Sequence, residues 1–264
     1  MLFLLFRLVG CYIILMNYPL NHTRFFLVFL FISWSLNAQV ALPTFHGVQN
    51  SYPSVLIIWD DSATNTHTVA LKTALGNAGF NVTMSNTSET SYDGTNPALS
   101  NFNAVIHLNG TTHSAEMPNA GQTALVNFVN TQGGIYFHSE WLAYQAGQSK
   151  YSTMSELILL QRSGGGEGNL TYTEVSAQSS HRILENIPSS FSFNSGYNVG
   201  TAKSFDSNPV TVLMTHSSND AVVIRSYGNG KIMAMNNAGN YASKTTLSNA
   251  NIQQLYINAI EWAN

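Results

Sequence analysis

The sequence predicts an α/β fold of the flavodoxin-like, three-layer type, with a mostly parallel central sheet and a β-rich C-terminal extension. In the first half of the chain, the strand segments are continuous apolar runs rich in β-branched residues, which is typical of strands covered on both faces. Segments with helical apolar spacing alternate with these strands, which indicates β-α-β units and a parallel sheet. In the second half, short strands follow one another between turn residues, and these predict the extension.

The first half of the domain supplies the parallel units. Its predicted elements are, in order, a strand over 54–59, a helix over 66–78, strands over 80–84 and 102–108, a helix over 121–131 and a strand over 135–138. Glycines follow both helices, at Gly79 and at Gly133-Gly134, and a residue with a permissive backbone ends a helix readily. Polar residues follow the strands, so a ligand is expected at the carboxyl edge of the sheet.

The second half contains shorter elements and closes with a helix. The predicted elements are the end of a helix at 157–160, a flexible break at 164–166, strands over 170–175, 209–214, 221–225 and 231–235, and an amphipathic helix over 250–262. The segment Gly228-Asn229-Gly230 marks a turn between the last two strands. The sequence shows no internal repeat and no long linker in this part, so a single domain is predicted over 54–264.

The N-terminus has the pattern of a secretory signal peptide. Arg24 precedes an apolar run over 25–36, and Ala38 follows as a small residue near the expected cleavage site. The run is shorter than the roughly 20 apolar residues of a membrane span, although a retained membrane anchor is the alternative. We therefore predict a signal peptide over 1–38, with Met16 as an alternative start, and a lead-in over 39–53. The predicted location is secreted, periplasmic or at the cell surface of a bacterium.

Charge and cysteine content exclude several classes of function. The 264-residue chain has 10 Lys and Arg against 13 Asp and Glu, and removal of 1–38 takes away Arg7 and Arg24 and leaves a net charge of −5. An acidic chain without clustered basic residues does not fit nucleic-acid binding. The single cysteine, Cys11, lies in the predicted leader, so the mature chain would have no disulfide, no thiolate nucleophile and no cysteine metal ligand.

Five segments in order resemble the ThuA-like branch of the class I glutamine amidotransferase-like superfamily, a branch associated with trehalose utilisation. The segments are the first strand with its acidic end at 55–61, the strand at 102–109, the helix and strand that lead to Ser139, the stretch at 181–188, and the strand at 230–235 with the closing helix. The resemblance spans residues 54–263 and implies a histidine near the turn after the strand at 135–138, a position that fits His138 or, in an alignment without a gap, Ser139. Amidotransferases of this superfamily carry a cysteine there, so the absence of cysteine from the mature chain excludes that glutaminase chemistry.

The turn after the strand at 135–138 carries the candidate catalytic residues His138, Ser139 and Glu140. Ser139 could be a nucleophile on a strand-to-helix turn, where helix amides would hold an oxyanion. However, the bulky Phe137 and Trp141 flank it where such a turn normally has glycine. The alternative is that Ser139 caps the following helix and that His138 donates a hydrogen bond to a carbonyl at the strand end.

Residues at or near the ends of the strands are candidate ligand-binding residues. These are Asp60, Asp61, Asn109 and His113, together with Trp141 as an aromatic surface. Paired carboxylates can bind a sugar hydroxyl or a divalent cation, but one of them could equally cap the first helix. His107 lies inside an apolar strand and is expected to be a buried histidine with satisfied hydrogen bonds. No histidine pair has the spacing of a zinc motif, so we predict neither a metal nor another cofactor.

Two function hypotheses follow from these residues and from the resemblance. The first is a secreted ThuA-like domain with a degenerate amidotransferase turn, which acts as a carbohydrate-related binding or accessory module. The second is a hydrolase or isomerase that acts on a sugar derivative through His138, Ser139 or Glu140, with Asp60 or Asp61 nearby. The missing cysteine and the bulky neighbours of Ser139 favour the first hypothesis. The sequence does not define the oligomeric state.

Overall fold

The computed structural model describes residues 52–110, 114–239 and 244–263, without the side chain of Glu140. Of the first 51 residues it describes only the backbone of two short antiparallel strands, β1 (Arg7–Leu8) and β2 (Cys11–Tyr12). The apolar run of the predicted signal peptide and the alternative start at Met16 lie outside the described residues. Within the described parts, no helix is both long and apolar enough to cross a membrane.

The main body, which starts near residue 49, is built on one large sheet with helices on both faces. Its strands are β3 (Ser54–Ile58), β4 (Asn81–Met84), β5 (Ala104–His107), β6 (Ile135–His138), β7 (Gly164–Glu174), β8 (Ser190–Val199), β9 (Thr211–His216), β10 (Asn219–Tyr227) and β11 (Gly230–Met235). Its α-helices are α1 (Thr66–Asn77), α2 (Asn119–Asn130), α3 (Glu140–Gly147) and α4 (Ala250–Ala263).

The strands are arranged in the order β4-β3-β5-β6-β11-β10-β9-β7-β8. The first five pair in parallel, and their order is that of flavodoxin-like sheets, with the switch point between β3 and β5. The other four pairings are antiparallel, and the β7–β8 ladder alone holds ten residue pairs against four in each parallel ladder. The prediction of a mostly parallel sheet was therefore wrong: the sheet is mixed, and most of its paired residues are antiparallel.

Short connections explain two of the antiparallel pairings, β9 with β10 and β10 with β11. β10 and β11 are joined by Gly228 and Asn229 alone, and a connection of two residues can only return the chain as a hairpin. Gly228 has a φ of +55°, in the left-handed region that such turns require. β11 then lies beside β6 and pairs with it in parallel, so the last strand belongs to the parallel part and not to the extension.

Alternate residues along the central strands face two separate apolar layers, as the three-layer prediction requires. On one face, Val55 and Ile106 belong to a cluster that includes residues of α1 and α4. On the other face, Leu56 and Val105 belong to a cluster that includes residues of α2 and α3. Because the strands are covered on both sides, their apolar runs are continuous.

Two predictions for the second half need correction, and one strand was missed. The expected helix end at 157–160 is a 3₁₀ helix over Ser152–Leu157, after which Ile158 is extended. The expected flexible break at 164–166 is the start of β7, where the glycines pair with residues 197–199 of β8. Strand β8 itself was not predicted, although it borders the site described below.

Candidate functional site

The elbow, defined here as residues 137–141 between β6 and α3, holds His138 with both ring nitrogens in use. Nε2 accepts a hydrogen bond from the backbone N–H of Leu159 at 3.0 Å, which places the proton on Nδ1. Nδ1 therefore donates to the carbonyl oxygen of Ser139 at 3.1 Å. Such a bond to a carbonyl at the strand end is the alternative to a catalytic role that the sequence predicts. Burial lowers the pKa of His138 to about 3, so the ring is neutral at ordinary pH.

Ser139 occupies the N-cap position of α3 but is enclosed. Its backbone is extended, and its side chain makes no capping hydrogen bond to α3. The alternative that the Ser139 side chain caps this helix is therefore wrong. The hydroxyl donates to the carbonyl oxygen of Asn109 at a long 3.5 Å, and the residue has no exposed surface. Gly239 lies so close that a Cβ there would be 3.3 Å from the Ser139 Oγ. The segment after β11 therefore covers the hydroxyl that a substrate would have to reach.

Asp60 and Asp61 point to different environments. Asp60 is buried, and its Oδ2 accepts a hydrogen bond of 2.7 Å from the backbone N–H of Gly110, just past β5. Asp61 is exposed. Neither residue caps the first helix, because Asn65 does so by accepting from the N–H groups of residues 67 and 68. The Gly110 amide at the switch point is thus already bound to a carboxylate of the protein.

Asn109 belongs to a buried polar cluster that the sequence did not reveal. Its Nδ2 donates to Oε1 of Glu89 at 3.1 Å, and the hydroxyl of Tyr151 donates to the same oxygen. His107 contributes Nδ1, which lies 2.7 Å from the hydroxyl of Tyr136. Burial raises the pKa of Glu89, while the nearby His107 and Asn109 oppose that shift. These groups are fully enclosed, so they support the fold beneath the switch point rather than a surface site.

Among the described residues, only Nδ1 of His107 has a hydrogen-bond partner, whereas the sequence predicted that both ring nitrogens are satisfied. Its Nε2 lies 3.3 Å from Oε1 of Glu89, an ion-pair distance, but it meets the geometry of no hydrogen bond among the described residues. His113 and the side chain of Glu140 lie outside the described residues, and their roles stay predictions.

An open cleft of about 240 Å³ lies beside the elbow, between the first turn of α3 and the β7–β8 hairpin. Its lining residues are Trp141, Arg162, Gly165, Gly166, Glu167, Gly196 and Tyr197. Trp141 meets Tyr144 edge to face with ring centroids 5.5 Å apart. The Arg162 guanidinium lies 4.7 Å from the Tyr144 ring centroid and 6.0 Å from that of Trp141. The cleft therefore combines aromatic rings with a fixed cation.

Two glycines keep this cleft open. A Cβ on Gly165 would collide with the Arg162 guanidinium, and a Cβ on Gly166 would lie 2.5 Å from the Tyr197 hydroxyl. The side chain of Glu167 is 55 % exposed and forms an ion pair of 3.4 Å with Lys244. The wall thus offers a carboxylate, a guanidinium and a phenol to a polar ligand, beside rings that can contact its apolar parts.

The structure brings together only some of the predicted site residues. Trp141 lines the cleft, whereas Asp60, Asn109, His138 and Ser139 are buried and are not among its lining residues. The cleft residues from β7 were missed because the glycines at 164–166 suggested a flexible break, and those from β8 because that strand was not predicted. Among the described residues, no group of three or more His, Cys, Asp and Glu side chains could hold a metal ion.

Comparison with known proteins gives the family. The model of the ThuA family, described as trehalose utilisation, matches residues 54–263. A cytoplasmic protein from Salmonella typhimurium is similar in structure, with a TM-score of 0.56 at 13 % identity over 79 % of this chain and 98 % of its own. A ThuA-like protein from Parabacteroides merdae gives a TM-score of 0.56 at 15 % identity over 80 % of this chain and 90 % of its own.

A larger protein also contains the fold. A β-galactosidase from Bacillus circulans sp. alkalophilus matches with a TM-score of 0.50 at 11 % identity, over 80 % of this chain but only 31 % of the galactosidase. At these identities the likeness concerns the fold alone. No curated protein is similar in sequence. The family match over residues 54–263 shows that this chain belongs to the ThuA family, within the class I glutamine amidotransferase-like superfamily.

Proposed function

We propose that this chain is an exported ThuA-like domain that binds carbohydrate in the cleft beside the elbow and does not use Ser139 as a nucleophile. The observation that carries the proposal is the contrast between the two places. The Ser139 hydroxyl is completely buried, whereas the neighbouring cleft is open and lined by aromatic and charged side chains.

The elbow lacks three things that nucleophilic catalysis requires. A substrate cannot reach the hydroxyl of Ser139, because the residue is buried. His138 has no ring nitrogen left to accept the proton of that hydroxyl. The Gly110 amide, which could otherwise stabilise an oxyanion, is bound to Asp60. These contacts argue against a hydrolase or isomerase that uses His138 and Ser139.

The chemistry of the cleft supports a sugar ligand. Sugars present C–H groups, which pack on aromatic rings, and hydroxyl groups, which exchange hydrogen bonds with charged side chains. Trp141 and Tyr197 provide the rings, and Arg162 and Glu167 provide the charged groups. The volume of about 240 Å³ is suited to one sugar ring at a time rather than to a long oligosaccharide. The trehalose association of the family gives the first ligand to try.

The test uses a pair of glycine substitutions in the protein over residues 39–264. In Gly166→Ala the new methyl group would meet the Tyr197 ring and narrow the cleft, whereas in Gly147→Ala, at the end of α3, it would meet nothing within 4 Å. Calorimetric titration with trehalose, other disaccharides and monosaccharides should show binding that Gly166→Ala weakens at least tenfold and Gly147→Ala leaves unchanged.

Catalysis is measured on the same samples. Sugar hydrolysis or isomerisation that disappears in Ser139→Ala would support the enzyme hypothesis and refute the binding module. Binding without turnover, unaffected by Ser139→Ala, is the result expected here.

Export is the second part of the proposal, and the sequence pattern at 1–38 supports it. Expression of the full chain in a bacterium, followed by N-terminal sequencing of the periplasmic or secreted protein, should give a mature start near residue 39. A full-length protein confined to the cytoplasm would contradict export without touching the proposal for the cleft.

A further inference from the structure

A second and larger cavity lies at the opposite edge of the sheet. It has a volume of about 370 Å³, within the range of small-molecule sites. Its lining residues are Gln178, His181, Asn208, Pro209, Thr211, Ile224, Arg225, Ser226 and Trp262. Ser226 lies opposite Lys231 at the start of β11, which is the amino edge of the parallel strands. The cavity is therefore separate from the elbow and from the cleft, which lie at the carboxyl edge.

His181 offers a hydrogen-bond donor to this cavity. Its Nδ1 accepts from the backbone N–H of Ile183 at 3.2 Å, so the neutral ring carries its proton on Nε2. Burial and the nearby Lys231 lower the pKa of His181, which favours this neutral form. The ring also lies 5.3 Å, centroid to centroid, from that of Trp262, so the two rings form one aromatic wall.

Four further polar side chains reach the cavity from separate segments of the chain. They are Gln178, Asn208, Thr211 and Ser226. Within the described residues, none of these side chains takes part in a hydrogen bond of the protein. Amide and hydroxyl groups that converge on one cavity and stay available there are the usual means by which a site orients a hydroxylated ligand.

Two cations lie at the cavity, and one of them is paired with a carboxylate. Lys231 places its Nζ 4.2 Å from the Trp262 ring centroid and donates to the Trp262 carbonyl oxygen. Arg225 is held in the wall by Glu156, at 3.1 Å, and by backbone carbonyl oxygens. The lining residues include no Asp or Glu, although acidic residues outnumber basic ones in the whole chain. Lys231, next to hydrogen-bond donors and to a lining without Asp or Glu, favours an anion in this cavity.

We propose that this cavity binds a small hydroxylated anion, of the class of a sugar phosphate or a sugar acid. The anionic group would lie towards Lys231, the sugar ring would contact Trp262, and its hydroxyl groups would meet His181, Gln178 and Ser226. This site is independent of the carbohydrate cleft, because the two share no lining residue.

Calorimetric titrations with glucose 6-phosphate and with galacturonate test this assignment, and glucose and inorganic phosphate serve as partial ligands. The informative variants are His181→Asn, whose amide oxygen can still accept from the Ile183 N–H, and Lys231→Gln, which removes the charge. Trp141→Ala, in the other cleft, is the control. Circular dichroism and urea unfolding check that each variant is folded.

At least one of the two anionic sugars should bind at least tenfold more tightly than glucose or phosphate alone. His181→Asn and Lys231→Gln should each weaken that binding at least tenfold, and Trp141→Ala should leave it unchanged. Failure of both anionic sugars to bind at millimolar concentration would overturn the proposal. It would also be overturned by binding that glucose or phosphate matches in Gly166→Ala, where the first cleft is narrowed. Binding that both variants leave unchanged, or that is lost in Trp141→Ala, would overturn it as well.

Discussion

Acidification should destabilise this fold through His138, because its imidazole is buried and neutral in the folded protein. Its pKa is about 3 in the folded state, against 6.5 for an ordinary histidine. Between these two values the unfolded chain binds a proton that the folded chain does not, so the free energy of unfolding falls as the pH is lowered. The stability from the neutral ring is present above about pH 6.5 and is lost as the pH falls towards 3.

The size of this effect follows from the two pKa values. A shift of one pKa unit corresponds to about 1.4 kcal/mol, so complete protonation below pH 3 would cost roughly 5 kcal/mol. Between about pH 7.5 and about pH 5, only the unfolded state is protonated, and the loss is about 2 kcal/mol. No discount for solvent screening applies, because His138 is fully buried.

The assay compares urea unfolding of the wild type and His138→Gln, over residues 39–264, at these two pH values. A glutamine oxygen can accept from the Leu159 N–H in place of Nε2, but it does not titrate. We expect the variant to be about 1 to 3 kcal/mol less stable near pH 7.5, because the bond to the Ser139 carbonyl oxygen is lost. Near pH 5 the difference in unfolding free energy between wild type and His138→Gln should be smaller by about 2 kcal/mol.

His67→Gln is the matched histidine substitution, since His67 lies nearer the surface and contacts the Ser248 hydroxyl. It controls for the replacement of a histidine by glutamine as such. If the wild type and His138→Gln lose the same free energy between the two pH values, His138 is not a neutral acceptor. The argument against its role as a base would then fail as well.

Three further predictions concern the framework of the site. Burial raises the pKa of Glu89, so its contribution to stability is present at low pH and is lost as the pH rises. Glu89→Gln should therefore gain stability relative to wild type from about pH 4 to about pH 8 in urea unfolding, and a constant difference would contradict this. Asn65→Ala removes the cap of α1 and should lower the unfolding free energy by about 1 kcal/mol, whereas an unchanged denaturation midpoint would show that the cap is dispensable. Gly134→Ala places a methyl group inside the Phe128 ring and should cost about 1 to 3 kcal/mol, measured by thermal unfolding. An unchanged melting temperature would mean that the ring moves aside freely.

The parallel half of the fold was predictable because its signals are local. Each strand there is a short apolar run covered on both faces, and α1 and α2 carry helical apolar spacing that ends near glycine. The antiparallel half depends on long-range pairing. β7 begins with glycines, which are unfavourable in strands, and only its ladder with β8 shows that they belong to the sheet.

One part of the antiparallel half had a signal that was missed. Residues 190–194 of β8 alternate between exposed or half-buried polar and buried aromatic positions, the period-two pattern of a strand with one covered face. Reading that alternation would have added the strand that carries Tyr197, and with it one wall of the cleft.

The candidate site was only partly predictable for the same reason. The elbow and Trp141 were identified because they follow β6 directly in the sequence. Arg162, Glu167 and Tyr197 are distant in sequence and reach the cleft through the β7–β8 pairing. Glu89 gave no signal, because a charged residue is normally exposed and its contact with His107 exists only in the tertiary structure.

The central claim is that the cleft binds sugar while His138 and Ser139 take no part in catalysis. The most direct test is a ¹⁵N NMR titration of the folded domain with trehalose and other disaccharides, observing the indole N–H signal of Trp141. We predict a saturable shift of that signal, retained in Gly147→Ala and Ser139→Ala and lost in Gly166→Ala. A Trp141 signal that no sugar moves, together with sugar turnover that Ser139→Ala abolishes, would contradict the account.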